Sequence, residues 1–434
     1  MPSPPDRLPD RPMDRRLAEI DAHYHAGRLD AAAAGCRAVL SEAPGHAGAL
    51  HRLGVLHHLS RDDATAVRLL AAAAAAGHRA AHGDLGVALM KAGRPDEALV
   101  QFRTAHALAP QDPRAAYNLA MALLAAGAIK EGFRLYEARW RLKGPTPWVT
   151  HWDRFWDGRP LAGGTLLVHA EQGFGDSLQF ARYVPLAAAR GARVVLAVPG
   201  VLRRLMTGLA GCAQVLSEGE RIPAYAAHAP LMSLPRLLGT TAGNIPATLP
   251  YLAAPATASP PSTGFSPDGR LQVGLVWAGR PEDPDDRHRS CPLAALSPLL
   301  ALPGVRFHSL QVGAAEAALD RVAGGAAVVR HGGSVGDFAD TAAVIAGLDL
   351  VIAVDTAIVH LAGALGRPAW VLLSADPDWR WMRGRADSPW YPTHRLFRQP
   401  QLGQWEPVVG RLRIELAALI GTRRPALAAP PCEG

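Results

Sequence analysis

The stretch LVIAVDTAIVHLAGALGRPAWVLLS, Leu350 to Ser374, decides the fold of the larger part of this chain. It opens with an apolar run of strand length, Leu350 to Val354, and closes with a second such run, Ala369 to Ser374. Between them lie a short polar turn and an apolar helical segment, for which Gly366 and Pro368 are typical stop signals. A strand, a helix and a strand in this order predict a βαβ unit with a parallel sheet.

The polar turn of this unit, Asp355-Thr356, is a candidate anion site. Free backbone N–H groups and the helix dipole favour negative charge at a helix N-terminus. Asp355 can accept hydrogen bonds from sugar or ribose hydroxyls, and Thr356 and His360 can donate to phosphate. The alternatives are an ordinary Asp–Thr helix cap and a histidine that only belongs to the core.

The same alternation of strands and helices extends over residues 164–422, in two halves. The Pro-, Ala-, Ser- and Thr-rich stretch Ala253 to Pro267 separates them and predicts an interdomain linker. We expect one Rossmann-like half over 164–255 and a second over 268–422, with ligands at the carboxyl ends of the strands. The other predicted strands are Thr165 to His169, Arg193 to Val198, Leu271 to Trp277 and Val305 to Leu310.

A glycine-containing turn follows the first strand of the first half, in HAEQGFGDSLQFARYVP, His169 to Pro185. Gly173 and Gly175 permit a tight turn and a close ligand approach. Asp176 then stands at the start of a helix that is predicted to begin near Ser177. It is either a plain helix cap or a general base that faces the cleft between the halves.

An arginine-rich loop follows the first strand of the second half, in VGLVWAGRPEDPDDRHRSCPL, Val273 to Leu293. Its arginines match phosphate oxygens in geometry and charge; they are Arg280, Arg287 and Arg289. The alternative is a solvated loop, because acidic residues balance the arginines; they are Glu282, Asp283, Asp285 and Asp286. A metal site at these carboxylates is the less favoured hypothesis, so we expect none.

An internal repeat of 33 to 34 residues marks the first third of the chain. Gly27-Arg28, Ser60-Arg61, Gly93-Arg94 and Gly127 recur at this spacing, and small residues such as Ala32 and Ala98 occupy the packing positions. The pattern predicts a helix-turn-helix array of the tetratricopeptide type over residues 14–143. Such arrays form a groove that binds a peptide or a partner protein, or they only brace a neighbouring domain.

Composition narrows the functional classes. The chain has 434 residues and a net charge of +7, but only three of its 45 basic residues are lysines, and no basic run is interleaved with aromatic residues. These features argue against nucleic acid as a partner. Four widely spaced cysteines indicate a reducing compartment, and no apolar run is long enough to span a membrane. We expect a cytoplasmic protein with disordered ends, 1–13 and 423–434, and a Trp- and Pro-rich linker over 144–163.

Three motifs make the region from about Gly164 to Leu416 resemble the heptosyltransferase family of GT-B glycosyltransferases. GDSLQF, Gly175 to Phe180, resembles the turn that holds the family's proposed catalytic base. RHRSCPL, Arg287 to Leu293, is similar to its phosphate-binding motif, and VDTAIVHLAGALGRP, Val354 to Pro368, is similar to its donor-binding segment. With the repeats in front, the whole chain resembles bacterial tetratricopeptide-repeat proteins that carry this domain.

The resemblance implies a metal-independent, inverting transfer of a sugar from a nucleotide-sugar donor to an acceptor hydroxyl, with no further cofactor. It implies that Asp176 is the catalytic base and that a set of residues binds the donor: Trp277, Arg280, Arg287, Arg289, Ser290, Asp355, Thr356, Ala357 and His360. Arg287 or Arg289 replaces the family's lysine, Cys291 its tryptophan and Ala357 its glycine. The expected acceptor is a protein or a cell-surface glycan that the repeats recruit.

Other functions stay open on the sequence alone. The protein O-GlcNAc transferases also join such repeats to a GT-B domain, but their donor-site signature is not evident here. A non-enzymatic scaffold with a nucleotide-sugar-sensing module is the main alternative, and an epimerase or sugar hydrolase is a third. A late aromatic group is predicted to stack on a base, line the acceptor entrance or pack on a closing helix near 406–420; it comprises Trp379, Trp381, Trp390 and Tyr391. By the resemblance, that helix should cross back to the first half.

Overall fold

The computed structural model of the chain describes residues 12–144, 148–149, 153–258, 265, 268–280 and 286–422. The chain separates into two compact units, Met1–Gly144 and Pro145–Gly434. The first is helical, and the second contains two parallel sheets. The predicted fold class is thus confirmed: a helical repeat array followed by two Rossmann-like halves of the GT-B type.

The first unit is a series of short helices in which each of the first seven packs against the next and the last packs against the seventh. The predicted disordered ends, 1–13 and 423–434, lie outside the described residues, apart from positions 12 and 13, which already belong to the first helix. Proline is well tolerated there because the first turn leaves its backbone N–H groups unpaired. The helices are α1 (Pro12–His25), α2 (Leu29–Glu42), α3 (Ala47–Leu59), α4 (Asp63–Ala75), α5 (Ala81–Lys91), α6 (Pro95–Leu108), α7 (Pro113–Ala125), α8 (Ile129–Tyr136) and α9 (Arg139–Lys143).

A left-handed residue ends each turn inside the repeats. Gly27, Gly93 and Gly127 have φ values of 73°, 71° and 81°, and Arg61 has 66°. Each stands two residues before the second helix of its pair. The predicted alignment of Ser60 with Gly27 was therefore wrong by one residue, since it is Arg61 that takes the conformation for which glycine is normally chosen.

Small residues allow the paired helices to approach closely, as the repeat pattern predicts. A Cβ at Gly54 would lie 2.7 Å from Leu70, and one at Gly86 would lie 2.5 Å from the Phe102 ring. The Leu70 and Phe102 side chains are buried in the space that each glycine leaves open. The glycines thus hold the packing distance within two successive repeats.

The first half of the second unit is a four-stranded parallel sheet with the order β3-β2-β1-β4. Trp156, from the predicted linker, is buried in this half and donates its backbone N–H to the His228 carbonyl of the last strand. Trp152 lies outside the described residues. The elements are β1 (Thr165–His169), α10 (Phe174–Phe180), α11 (Val184–Ala188), β2 (Arg193–Ala197), α12 (Gly200–Met206), β3 (Cys212–Leu216), β4 (Ala227–Pro230) and α13 (Leu234–Leu237).

The second half is a six-stranded parallel sheet with the order β10-β9-β8-β5-β6-β7. Its elements are β5 (Leu271–Val276), α14 (Asp286–Arg289), α15 (Leu293–Leu300), β6 (Val305–Ser309), β7 (Val329–Arg330), α16 (Phe338–Ala346), β8 (Leu350–Val354), α17 (Ala357–Ala364), β9 (Ala369–Leu373), β10 (His394–Arg398) and α18 (Glu406–Thr422). The order of strands reverses between β5 and β8 here, and between β1 and β4 in the first half. Such reversals open a crevice at the carboxyl ends of the strands.

The closing helix α18 does not make its main contacts where the resemblance places them. It packs against α15 and β10, and its buried residues, including Leu412 and Leu416, belong to the core of the second half. The apolar face of α18 is therefore buried in the second half, next to β10, the strand that precedes the helix in the chain. The prediction that this helix crosses to the first half is therefore wrong.

Two arginines of the first half tie the halves together. Arg182 is buried, donates to the Trp390 carbonyl of the second half and lies 4.4 Å from the centre of the Tyr391 ring. Arg204, on α12, pairs with Asp337 and Asp340 at the start of α16. The two sheets therefore face one cleft whose walls are held by specific contacts.

A buried pair of histidines lies in the sheet of the second half. His308 Nδ1 lies 2.9 Å from His331 Nε2, and His308 Nε2 lies 2.8 Å from Gln272 Oε1. Both rings are almost fully buried. His308 Nε2–H therefore donates to Gln272 Oε1, and the tautomers decide whether His308 Nδ1 accepts from or donates to His331 Nε2.

Among the described residues, every helix is too short or too polar to serve as a membrane span.

Candidate functional site

A cavity of about 540 Å³ lies between the two halves of the second unit. It opens at the carboxyl ends of β1, β5 and β8, where the strand orders reverse. Its walls include Gly173, Phe174, Gly175, Asp176, Ala278, Gly279, Arg280, Arg289, Gln311, Val312, Phe338, Asp355, Thr356, Ala357, His360, Asp378 and Arg380. The structure thus brings together most of the residues that the sequence proposed for the site.

Asp176 is held at the beginning of α10 and faces this cavity. The helix begins at Phe174 instead of near Ser177, because Gly173 is its N-cap and Asp176 is the third helical residue. One carboxylate oxygen, Oδ2, accepts the Gly173 N–H at 2.8 Å, and the other, Oδ1, pairs with Arg380. One oxygen thus supports the helix start and the other lies in the cleft, and the role of Asp176 as a general base stays a prediction.

Gly175 lies where α10 of the first half approaches α17 of the second closely. A Cβ at this position would lie 2.8 Å from Cδ2 of His360 and 3.6 Å from the Cα of Ala357. α10 of the first half can therefore pack on α17 of the second only because this residue has no side chain.

The turn after β8 presents Asp355 and Thr356 to the cavity. Thr356 is the N-cap of α17 but makes no side-chain capping bond, and its buried Oγ1 has no hydrogen-bond partner among the described residues. Burial, followed by the charge of Asp378, raises the pKa of Asp355 to about 6. The turn therefore combines an unsatisfied hydroxyl with a carboxyl that changes its protonation near neutral pH.

His360 both lines the cavity and packs in its wall. Its Nδ1 lies 3.0 Å from the Tyr391 hydroxyl, and its ring stacks on Trp381 at a centroid distance of 5.4 Å. Burial holds the pKa of His360 well below its ordinary value of 6.5, so the ring is neutral. A direct contact with phosphate stays a prediction.

The described residues of the arginine loop are linked by hydrogen bonds and an ion pair. Arg289 lies 3.3 Å from Asp286, which is buried and also accepts the Ser290 hydroxyl at 2.7 Å. Ser290 Oγ in turn accepts the Gly279 N–H at 3.0 Å. Arg280 is exposed and lies 4.7 Å from the centre of the Phe174 ring, which belongs to the first half.

Part of that loop lies outside the described residues. These parts are Glu282, Asp283 and Asp285, together with the side chain of Arg287. The Asp-x-Asp hypothesis of a metal site falls on them, and among the described residues no group of three or more His, Cys, Asp or Glu could hold a metal ion.

Trp277 occupies a different place from that proposed. It is buried in the core of the second half and is not among the residues that line the cavity. Trp277 directly follows the fully buried strand β5, and its ring packs among apolar side chains of the core. Its backbone N–H lies 3.2 Å from Gln311 Oε1, and Gln311 does line the cavity.

The late aromatic residues are buried instead of facing a ligand. Trp379, Trp381, Trp390 and Tyr391 are at most 3% exposed, and they pack around Phe180, Arg182 and His360. Neither stacking on a base nor packing on the closing helix describes them. They are the apolar filling between the two halves.

Arg380 is the residue that sequence reasoning missed. It stands between two of these tryptophans, lines the cavity and pairs with both Asp176 and Asp378. Its position shortly after β9, at the same sheet edge as the Asp355 turn, was the available signal.

These protonation equilibria predict a loss of stability of the second unit as the pH falls from about 7 towards 4. Burial lowers the pKa of His308 and of His394 to about 4. The unfolded chain takes up these protons near pH 6.5 and the folded chain does not, which costs up to about 3 kcal/mol per histidine. Asp355 acts in the opposite direction, since its raised pKa means that protonation favours the folded state.

Urea unfolding at pH 7 and pH 5, followed by tryptophan fluorescence, measures this effect, because nine of the ten tryptophans follow residue 144. The His308→Gln variant should show a shallower pH dependence. Equal unfolding free energies of the unsubstituted protein at the two pH values would contradict the assignment.

Comparisons with known proteins agree with this architecture. A tetratricopeptide repeat model matches residues 89–138, and the glycosyltransferase family 9 (heptosyltransferase) model matches residues 335–388. Protein FlbA of Caulobacter vibrioides is 30% identical in an alignment 371 positions long, which covers 78% of this chain and 58% of FlbA. The chain thus spans somewhat more than half the length of that relative.

Two solved structures are distantly similar to this chain. E. coli ADP-heptose lps heptosyltransferase II is 16% identical and covers 59% of this chain and 99% of its own, with a TM-score of 0.41. A mutant of Thermobaculum terrenum O-GlcNAc transferase is 16% identical and covers 94% of this chain and 93% of its own, with a TM-score of 0.32. The chain combines tetratricopeptide repeats with a heptosyltransferase-like region.

Proposed function

We propose that this chain, in which tetratricopeptide repeats precede a heptosyltransferase-like GT-B region, is a glycosyltransferase. It moves a sugar from a nucleotide-sugar donor to an acceptor hydroxyl. One observation carries the proposal: a single cavity between the halves joins the Gly175-Asp176 turn of one sheet to the arginines and the Asp355-Thr356 turn of the other.

The donor belongs on the side of the second half. Arg289 and Arg280 supply positive charge for a diphosphate, and the N-terminus of α17 supplies backbone N–H groups and a dipole. The unpartnered Thr356 hydroxyl is available to the same ligand. Asp355, whose carboxyl titrates near neutral pH, suits the hydroxyls of a sugar or ribose.

The reaction is an attack of an acceptor oxygen on the anomeric carbon. As the new C–O bond forms, the acceptor proton passes to the Asp176 carboxylate, and the bond between the anomeric carbon and the diphosphate oxygen breaks with its electron pair. The leaving diphosphate is stabilised by the arginines and the start of α17. Attack from the Asp176 side, opposite the leaving group, inverts the anomeric centre, and the step requires no metal.

The repeats recruit the acceptor or a partner protein. Tetratricopeptide arrays present an extended surface to which peptides bind, and this supports an acceptor on a protein or on a glycan that a partner carries. No nucleic acid and no further cofactor enter the proposal.

A screen of nucleotide sugars tests the function. Binding is measured as a shift of the melting temperature, and transfer as nucleoside diphosphate release that depends on an added acceptor. Release without an acceptor would indicate a hydrolase or epimerase, and the absence of any bound nucleotide or nucleotide sugar would overturn the proposal.

Arg289→Gln should weaken nucleoside diphosphate binding by about tenfold to a hundredfold, since one charge-assisted contact is lost. Titration calorimetry measures the dissociation constant. Arg330→Gln is the matched control, because Arg330 is similarly exposed and pairs with Asp320 outside the cavity. Equal affinities of the two variants would remove Arg289 from the donor site.

The non-enzymatic alternative keeps one observation in its favour. In this structure the Asp176 carboxylate is paired with Arg380, and such a pair suits a nucleotide sensor as well as a resting enzyme. A protein that binds a nucleotide sugar but releases no diphosphate with any acceptor would support the sensor.

A further inference from the structure

Arg380 connects two carboxylates that belong to different halves of the second unit. Its side chain is 9% exposed and lies 4.4 Å from the centre of the Trp379 ring. Nη1 lies 2.7 Å from Asp378 Oδ1, and Nη2 pairs with Asp176 Oδ1. The guanidinium therefore pairs both within its own loop and across the cleft.

The two partners are held differently. Asp378 also accepts the backbone N–H of Arg380 at 2.9 Å, so this pair is part of one local turn. Asp176 is 204 residues away in the chain, and its opposite oxygen is held by the Gly173 N–H of its own helix start. The contact across the cleft can therefore be given up while both local structures remain in place.

The charges of the cavity are balanced before any ligand enters. Its walls carry three carboxylates, Asp176, Asp355 and Asp378, and three guanidiniums, Arg280, Arg289 and Arg380. A nucleoside diphosphate adds at least two negative charges to this set. Its binding becomes more favourable when guanidiniums turn from carboxylates to phosphate oxygens.

We propose that Arg380 is a positioning residue that exchanges Asp176 for the diphosphate of the donor. This inference rests on the proposed function, because it assigns a state to the same catalytic base. Without a donor, Arg380 occupies the oxygen of Asp176 that faces the cleft. With a donor, Arg380 keeps Asp378, turns its other side to phosphate and leaves that oxygen available to the acceptor hydroxyl.

In this exchange, donor binding to Arg380 and release of Asp176 from Arg380 occur together. Because Asp176 and the diphosphate compete for the Arg380 guanidinium, the presence of either one weakens the binding of the other to Arg380. Removing the carboxylate charge by Asp176→Asn should therefore strengthen diphosphate binding. The amide oxygen of that variant would still accept the Gly173 N–H, so the helix start is kept.

A double-mutant cycle on binding tests the exchange. The probes are ADP, UDP and GDP, and their dissociation constants are measured by titration calorimetry for the unsubstituted protein, Asp176→Asn, Arg380→Gln and the double variant. We expect Asp176→Asn to tighten binding by about three- to tenfold, the range of a modest competing contact. We expect Arg380→Gln to weaken binding by about tenfold or more, and Arg380→Lys to restore part of that loss.

The decisive comparison is Asp176→Asn in the Arg380→Gln background. If the exchange is real, the gain in affinity disappears there. An equal gain in both backgrounds would show simple repulsion between Asp176 and the ligand, and no gain in either would show that the pair does not compete; both outcomes overturn the inference.

The same variants separate this inference from the proposed function. Coupled binding without acceptor-dependent diphosphate release would uphold the exchange and reject the glycosyltransferase. Transfer without coupling would do the reverse, and a protein that binds none of the three nucleotides would overturn both. Melting curves of each variant identify a loss of affinity that comes from unfolding.

Discussion

Asp176→Asn should lower sugar transfer by about a hundred- to ten-thousand-fold, the usual contribution of a general base. The amide cannot take the proton of the acceptor hydroxyl, but it can still accept the Gly173 N–H that begins α10. The fold and donor binding should therefore survive. The measurement is the rate of acceptor-dependent diphosphate release at saturating donor, together with the melting temperature.

Asp157→Asn is the matched control for this variant. Asp157 is exposed in the same half and likewise accepts a backbone N–H, that of Arg159 at 2.9 Å, but it lies outside the cavity. Its substitution should leave turnover unchanged. Near-normal transfer by Asp176→Asn would reject this residue as the base, whatever its effect on binding.

Gly363→Ala should destabilise the second unit by about 3 kcal/mol, at the upper end of the usual cost of overpacking. A Cβ there would lie 2.1 Å from Cδ1 of Tyr391, whose ring is fully buried. The ring cannot retreat without leaving Arg182 and the Nδ1 of His360. Urea unfolding followed by tryptophan fluorescence gives the change in unfolding free energy.

The control for this variant is Gly410→Ala in the exposed face of α18, where nothing lies within 4 Å of the added Cβ. It should stabilise the protein by about 0.5–1 kcal/mol, because alanine favours the helix more than glycine does. Loss of stability in both variants, or in neither, would show that packing at Tyr391 is not the cause.

The fold was predictable where the sequence pattern is local. Runs such as Leu350 to Val354 are apolar throughout because both faces of a parallel strand are buried, and each of the predicted strands is present. The missed strands are those whose pattern is weak. They are β3 and β4 in the first half and β7 and β10 in the second. β7 has two residues, and β10, with the sequence HRLFR, has only two apolar residues in succession.

The candidate site was predictable from position more than from composition. The turns that hold Asp176 and Asp355 follow buried strands, so the topology alone brings them to one cleft. What could not be predicted are the contacts between residues far apart in the chain. Examples are the pairing of Arg380 with Asp176, the burial of Trp277 and the position of α18. They depend on how the two sheets pack together, which the hydrophobic periodicity of each sheet does not predict.

The two oxygens of Asp176 have separate duties, one for the start of a helix and one for the cleft. A mutation that changes the role of Asp176 in the cleft can therefore leave its role at the helix start, and so the fold, intact. Codons for aspartate and asparagine differ only in their first base. Asparagine can still accept the Gly173 N–H, but it has no carboxylate to offer to the cleft. If the proposed function holds, one nucleotide change can therefore turn the protein into a catalytically inactive binding protein that keeps its fold.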